Sequence, residues 1–126
     1  MTGIVVFAHG SRIESANQAV RDVAERLADS RSFLVEPAFL ELGQPDLAGA
    51  VARLVSRGAE RIAVIPYFLT MGTHLQRDLP RLASEVARRY QNVDIHVTEP
   101  LDGHPALLQA LLDRASQAEA AARKTV

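Results

Sequence analysis

At 126 residues the chain suits one domain and leaves no room for two. Hydrophobic residues make up 48%, and 15 acidic side chains balance 14 basic ones, which favours a real core over disorder and gives no basic surplus for nucleic acid. The absence of cysteine excludes disulfides, thiolate nucleophiles and cysteine-held metal centres, so any metal must use His, Asp or Glu.

The opening stretch MTGIVVFAHGSR holds too short an apolar run for an export signal or a membrane span, and a soluble cytoplasmic protein is expected. Its core, GIVVFA (Gly3–Ala8), is continuous and β-branched, as in a strand buried on both faces of a parallel sheet. After the loop HGSR, residues Ala16, Ala19, Val20, Val23, Ala24 and Leu27 recur at helical spacing between Glu14 and Asp29. SFLVEPAFL (Ser32–Leu40) is a second strand, and Pro37 suggests a sheet edge or a strand end. Asp46 then caps a helix with Leu47, Val51, Leu54 and Val55 inward, stopped by Gly58.

RIAVIPYF (Arg61–Phe68) is the third strand. A helix with Leu79, Leu82, Val86 and Tyr90 on its apolar side follows the segment LTMGTHLQRDLP. Gly72 and Thr73 look like a turn plus cap. Asp78 can cap the helix proper, which puts Pro80 in its first turn and leaves His74 in the loop or short turn before it. VDIHVTEP (Val93–Pro100) is the fourth strand. The last helix turns Leu107, Leu108, Leu111 and Leu112 inward, and its Ala-rich end is expected to fray from about Ser116.

Strict β–α alternation with short loops implies an α/β fold: a single three-layer domain with a four-stranded parallel sheet, right-handed crossovers and helices on both faces. With strand order 2-1-3-4, ligands bind beyond the carboxyl ends of the strands, where the order reverses. His9, Glu41, His74, Glu99 and His104 all follow strands at that edge, and His9 and His74 follow neighbouring strands. His96 lies within the fourth strand and is expected to be locally satisfied or exposed at an edge.

Each of these residues also has a plainer reading. His9 could shape the HGSR turn, Ser11 could cap a helix, Arg12 and Glu41 could be solvated, and His74 could pack at a helix start. The apolar run IPYFLTM (Ile65–Met71) outlasts its strand, so it either packs under the next helix, joins a subunit interface or walls a flat ligand. Two histidines and a carboxylate suit a borderline divalent ion such as Co²⁺, Ni²⁺, Fe²⁺ or Zn²⁺.

The segments VVFAHGSR, FLELGQPDL, IPYFLTMGTHLQRDLP and PLDGHPAL, in this order across nearly the whole chain, resemble the small CbiX/SirB-type sirohydrochlorin chelatases. These belong to the class II, ATP-independent tetrapyrrole chelatases. The most specific block is the one containing His74, Asp78 and Pro80. The resemblance implies a chelatase-like, flavodoxin-like fold and insertion of a divalent metal, Co²⁺ first, with Fe²⁺ or Ni²⁺ as alternatives, into a sirohydrochlorin-like macrocycle.

It also implies a homodimer enclosing the tetrapyrrole, with no organic cofactor, nucleic acid or membrane. Metal handling carries over to His9 and His74, and an acidic role to Glu41, as a proton acceptor or a further ligand. His104 in GHP carries over as mainly structural. Tyr67, Phe68, Leu69 and Met71 would wall the macrocycle, and Ser11, Arg12, Thr73 and Arg77 would meet its peripheral carboxylates. Neutral imidazole, with an ordinary pKa near ~6.5, can both hold an ion and accept a pyrrole proton. A carrier of metal or tetrapyrrole that does not turn over is the competing reading. A phosphohydrolase using His9 is disfavoured, because no arginine precedes it and no phosphate-binding cluster is evident beyond Arg12.

Overall fold

β1 (Thr2–Ala8) is buried from Gly3 onward, as a β-branched run between two neighbours must be. The computed structural model describes residues 1–124 and places the elements in the order β1, α1 (Glu14–Ser30), β2 (Leu34–Phe39), α2 (Leu47–Ser56), β3 (Arg61–Pro66), α3 (Thr73–Ala87), β4 (Asp94–Val97) and α4 (Pro105–Lys124). All pairings are parallel and the sheet order is β2-β1-β3-β4. Val5 lies between Glu36 and Val64 in register. Pro37 sits on β2, an edge strand, where a missing N–H is tolerated.

Side chains alternate across β1 and build two cores. Val5 and Phe7 meet Leu47, Ala50, Val51 and Leu54 of α2 and Leu75, Leu79 and Val86 of α3. Ile4, Val6 and Ala8 meet Val20 and Ala24 of α1 on the other face. A fully buried side chain of this kind contributes about 1.5–3 kcal/mol. Asp46 caps α2, its carboxylate accepting from Gly49 N–H at 2.8 Å.

The segment around Pro80 departs from the sequence expectation. α3 begins at Thr73 with Gly72 at the cap, so His74 is helical, Asp78 is not a cap, and Pro80 lies inside the helix. An interior proline costs roughly 3 kcal/mol or more. Leu75, Leu79, Ala83 and Val86 are buried on one continuous face on both sides of it, which outweighs that cost. Gln76, whose carbonyl loses its helical partner, is exposed and open to water.

α4 departs further. Leu108, Leu111 and Leu112 do not point inward: they are 63%, 68% and 52% exposed, and only Leu107 is half-buried. The helix also continues past Ser116 to Lys124, as alanine-rich sequence favours. Ser116 Oγ donates to Leu112 O at 3.0 Å, and Arg114 to Gln117 at 3.0 Å. Of the tail expected to fray, residues 125 and 126 lie outside the described residues.

Candidate functional site

Ala8 ends β1 and releases His9 at the carboxyl edge of the sheet. The turn after it depends on Gly10, which has φ +89°. A Cβ there would stand 1.7 Å from the Glu41 carbonyl oxygen. Glycine thus lets two loops touch: Leu40 N–H donates to Ala8 O at 2.9 Å and Glu41 N–H to His9 O at 3.1 Å, prolonging the β1–β2 ladder past both strands.

Buried Asn17 of α1 fastens the same two loops. Its Oδ1 accepts from Ser11 N–H at 2.9 Å, and its Nδ2 donates to Ser11 O at 2.8 Å and to Leu42 O at 2.9 Å. Leu42 has φ +58°, a left-handed conformation that costs a branched residue about 1–3 kcal/mol, so its carbonyl needs a firm partner. Asn17 is 2% exposed and satisfies three backbone groups at once.

His9 and His74 line one cavity of about 500 Å³, together with Leu40, Gly72, Leu75, Asp78, Arg81, Leu82 and Glu85. The helical start at Thr73 explains this membership. Positions 74, 78, 81 and 85 fall at i, i+4, i+7 and i+11, so one face of α3 presents His, Asp, Arg and Glu to the cleft. Both histidines are exposed. The Phe68 ring lies against His9, with centroids 4.7 Å apart and planes at 37°. A second hollow of about 290 Å³ shares Leu40, Leu82 and Glu85 and extends the cleft to Arg89 and the start of α2.

The other sequence-derived residues are placed as follows. Glu41 is exposed and joins the site through its backbone; its side chain is not part of the cavity lining. Ser11 Oγ accepts from Ile13 N–H at 3.0 Å within the loop, while Ile13 occupies the cap position of α1. Arg12, Thr73 and Arg77 are exposed outside the cavity lining. The run Tyr67–Met71 divides: Phe68 and Met71 pack on the α2–α3 core, whereas Tyr67 and Leu69 are exposed. The apolar lining of the cleft comes from Leu40, Leu75 and Leu82.

Glu99 and His104 border a separate hollow beyond β4. His104 Nδ1 accepts from Ala106 N–H at 3.0 Å, the structural duty of a helix cap. His96 is exposed on edge strand β4. Among the described residues, no three His, Asp or Glu side chains converge closely enough to hold an ion. The cleft thus offers two imidazoles for weak, exchangeable contact with a divalent ion, carboxylates beside them, and an apolar wall with Arg81 at its border. Reading Pro80 as a boundary hid Asp78, Arg81 and Glu85; their spacing with His74 was the available signal.

A CbiX family model matches residues 3–118. The sirohydrochlorin cobaltochelatase of Methanopyrus kandleri is 30% identical, with 94% of this chain and 97% of the relative covered. The chloroplastic sirohydrochlorin ferrochelatase of Arabidopsis thaliana is 33% identical over 89% of this chain, which spans only 50% of that relative's length.

A solved CbiX protein from Marinobacter aquaeolei superposes with a TM-score of 0.82 at 29% identity, covering 94% of this chain and 97% of its own. The cobalt complex of the sirohydrochlorin chelatase SirB from Bacillus subtilis subspecies spizizenii gives a TM-score of 0.83 at 28% identity, covering 92% of this chain and 50% of its own. No described helix is long and apolar enough to cross a membrane.

Proposed function

The chain belongs to the CbiX family, and we propose that it inserts a divalent metal into sirohydrochlorin or a closely related tetrapyrrole, without ATP, as a homodimer. The observation that carries this reading is the meeting of His9 and His74 in one apolar-walled cleft at the carboxyl edge of the sheet. Support for the substrate comes from the relatives named for sirohydrochlorin, and for the metal from a neighbour solved with cobalt. Co²⁺ is the first choice, with Fe²⁺ and Ni²⁺ as alternatives.

Insertion exchanges one hydrated M²⁺ for two pyrrole N–H protons: two M–N bonds replace two N–H bonds, two further nitrogens donate lone pairs, and two protons leave. The exposed imidazoles of His9 and His74 hold the incoming ion while it sheds water and release it to the macrocycle. Proton removal falls to whichever imidazole is free and to nearby carboxylates. Asp78 and Glu85 line the cavity and can serve, and Glu41 is tied to the His9 loop by its backbone N–H. Leu40, Leu75 and Leu82 face the macrocycle, and Arg81 meets a peripheral carboxylate as a charge-assisted donor. The outlying Ser11, Arg12, Thr73 and Arg77, with Tyr67 and Leu69, would touch only a ligand that overhangs the cleft.

Purified protein mixed with the tetrapyrrole and Co²⁺, Fe²⁺ or Ni²⁺ should speed the absorption change of metallation over the protein-free blank. Catalytic turnover, many macrocycles per chain, separates an enzyme from a stoichiometric carrier. No acceleration with any of the three ions would overturn the assignment.

A further inference from the structure

The histidines of this chain differ in what holds their rings. His104 Nδ1 accepts from Ala106 N–H at 3.0 Å, which fixes that imidazole by one nitrogen. Among the described residues, no hydrogen bond to the protein holds the His9 ring. Its ring contact is with Phe68, centroids 4.7 Å apart and planes at 37°. An imidazole that serves a metal ordinarily has its second nitrogen tied to a carbonyl or carboxylate, which sets tautomer and ring direction. At His9 an aromatic face stands where that hydrogen bond would be.

Sheet register explains the meeting. Val5 and Phe7 of β1 face the α2–α3 core, as Ile62 and Val64 of β3 do. Val5 pairs with Val64 and Phe7 with Pro66. Two residues further on, the same alternation sets His9 beside Phe68. Tyr67 N–H donates to Phe7 O at 2.7 Å, so the ladder persists past Pro66. The 4.7 Å between the rings matches the spacing of neighbouring strands, about 4.7–4.9 Å.

The support is itself rigid. Asp102 N–H donates to Leu69 O at 2.9 Å, so the backbone is pinned on both sides of Phe68. The half-buried Phe68 ring rests on the α2–α3 core. His9 lines the cavity with His74, whereas Phe68 is not among the residues that line it. Phe68 thus supports the imidazole from outside the cavity and does not wall the ligand.

We propose that Phe68 is the positioning residue of His9: its ring aims the imidazole by face contact and leaves both ring nitrogens open. One nitrogen can hold an ion while the other meets water, and the ion departs without any hydrogen bond inside the protein having to break. An imidazole anchored by one nitrogen, as at His104, lacks that freedom. This rests on the chelatase reading for its rates, but the ring contact is open to measurement without substrate.

The test uses the full chain with Phe68→Leu, which removes the ring, and Phe68→Tyr, which keeps it. NMR of the histidine rings at pH of about 8.5, where an ordinary imidazole is neutral, needs neither metal nor tetrapyrrole. The His9 ring protons should lose their ring-current shift in Phe68→Leu and keep it in Phe68→Tyr, while those of His74 and His104 stay in place in both. The ¹⁵N shifts of His9 should average over two tautomers, with His104 as the fixed reference. A single locked tautomer at His9 would reveal a hydrogen bond that holds the ring, and would overturn the proposal.

Steady-state metallation with Co²⁺, well below the urea midpoint of each variant, supplies the second readout. Phe68→Leu should lower kcat about 3- to 10-fold, the scale of one lost aromatic pair, with KM for the tetrapyrrole within about twofold. Phe68→Tyr should restore kcat. A raised KM for the tetrapyrrole with kcat unchanged would make Phe68 a wall of the substrate and overturn its positioning role. A chain that fails to metallate in unmodified form overturns the chelatase reading, while the NMR arm still decides what orients His9.

Discussion

In α3 the residues Leu75, Leu79, Ala83 and Val86 recur at helical spacing and are buried. In α4 Leu108, Leu111 and Leu112 recur in the same manner and are mostly exposed. Helical periodicity defines an apolar stripe but not what covers it. α3 finds Val5, Phe7 and Val64 of its own sheet, and α2 beside them. The opposite face of α3 thereby becomes a fixed wall of the cleft, with His74, Asp78, Arg81 and Glu85 in a row. Among the described residues, the leucines of α4 lie mostly in the open instead. The candidate site lies on the helix whose apolar side is anchored, as a site that needs side chains held in place requires.

The sharpest contrast between the two ends of the chain is catalytic. His74→Ala should lower the metallation rate by about 10²-fold or more, the scale of losing a positioned acid–base or metal-handling group. His96→Ala, on the exposed edge strand that leads to α4, should leave the rate within about twofold. Steady-state rates with Co²⁺ for both variants decide the matter, and equal losses would remove His74 from the site.

Packing gives a second contrast. Leu79 is fully buried, and Leu79→Ala should destabilise the chain by about 2–5 kcal/mol. Leu111→Ala should change the stability of the dilute monomer by less than ~0.5 kcal/mol, as at an ordinary surface position. Urea unfolding at several protein concentrations measures both. A Leu111→Ala loss that grows with concentration would place that leucine in an interface between copies, and a large loss at every concentration would contradict its exposure.

Much of the architecture was legible beforehand. Strict alternation of β-branched runs with amphipathic segments implied a parallel sheet, and the order taken for it, 2-1-3-4, is the one observed. Topology also anticipated that His9 and His74 would border one cleft, since both follow neighbouring strands at their carboxyl ends. The errors have physical causes. Pro80 was read as a boundary because an interior proline is costly, yet four buried residues spanning it hold the helix together. That reading placed His74 outside the helix and hid Asp78, Arg81 and Glu85. The leucines of α4 were assigned to the core because one chain alone carries no sign that its last helix lacks a surface to meet. Asn17 passed unnoticed although it stands three residues before Val20 on the buried face of α1, where an uncharged polar residue needs a partner.

Asn17 offers the smallest and most local test. It acts on the loops rather than on the reacting atoms, so it is a positioning residue in the anchored half of the molecule. Asn17→Ala leaves Ser11 N–H, Ser11 O and Leu42 O without their present partner, at a cost of about 1–3 kcal/mol in total once water repairs the more accessible of them. Asn17→Asp keeps the acceptor toward Ser11 N–H but turns both donated bonds into contacts between a carboxylate and a carbonyl oxygen. At neutral pH it should be at least as destabilising as alanine despite its nearly identical shape. Urea midpoints rank the two variants. Metallation measured well below those midpoints shows whether kcat falls with the loosened His9 loop while the fold remains intact. Wild-type stability in the aspartate variant would mean that the two carbonyls do not depend on the amide, and the link from α1 to His9 would then have to be withdrawn.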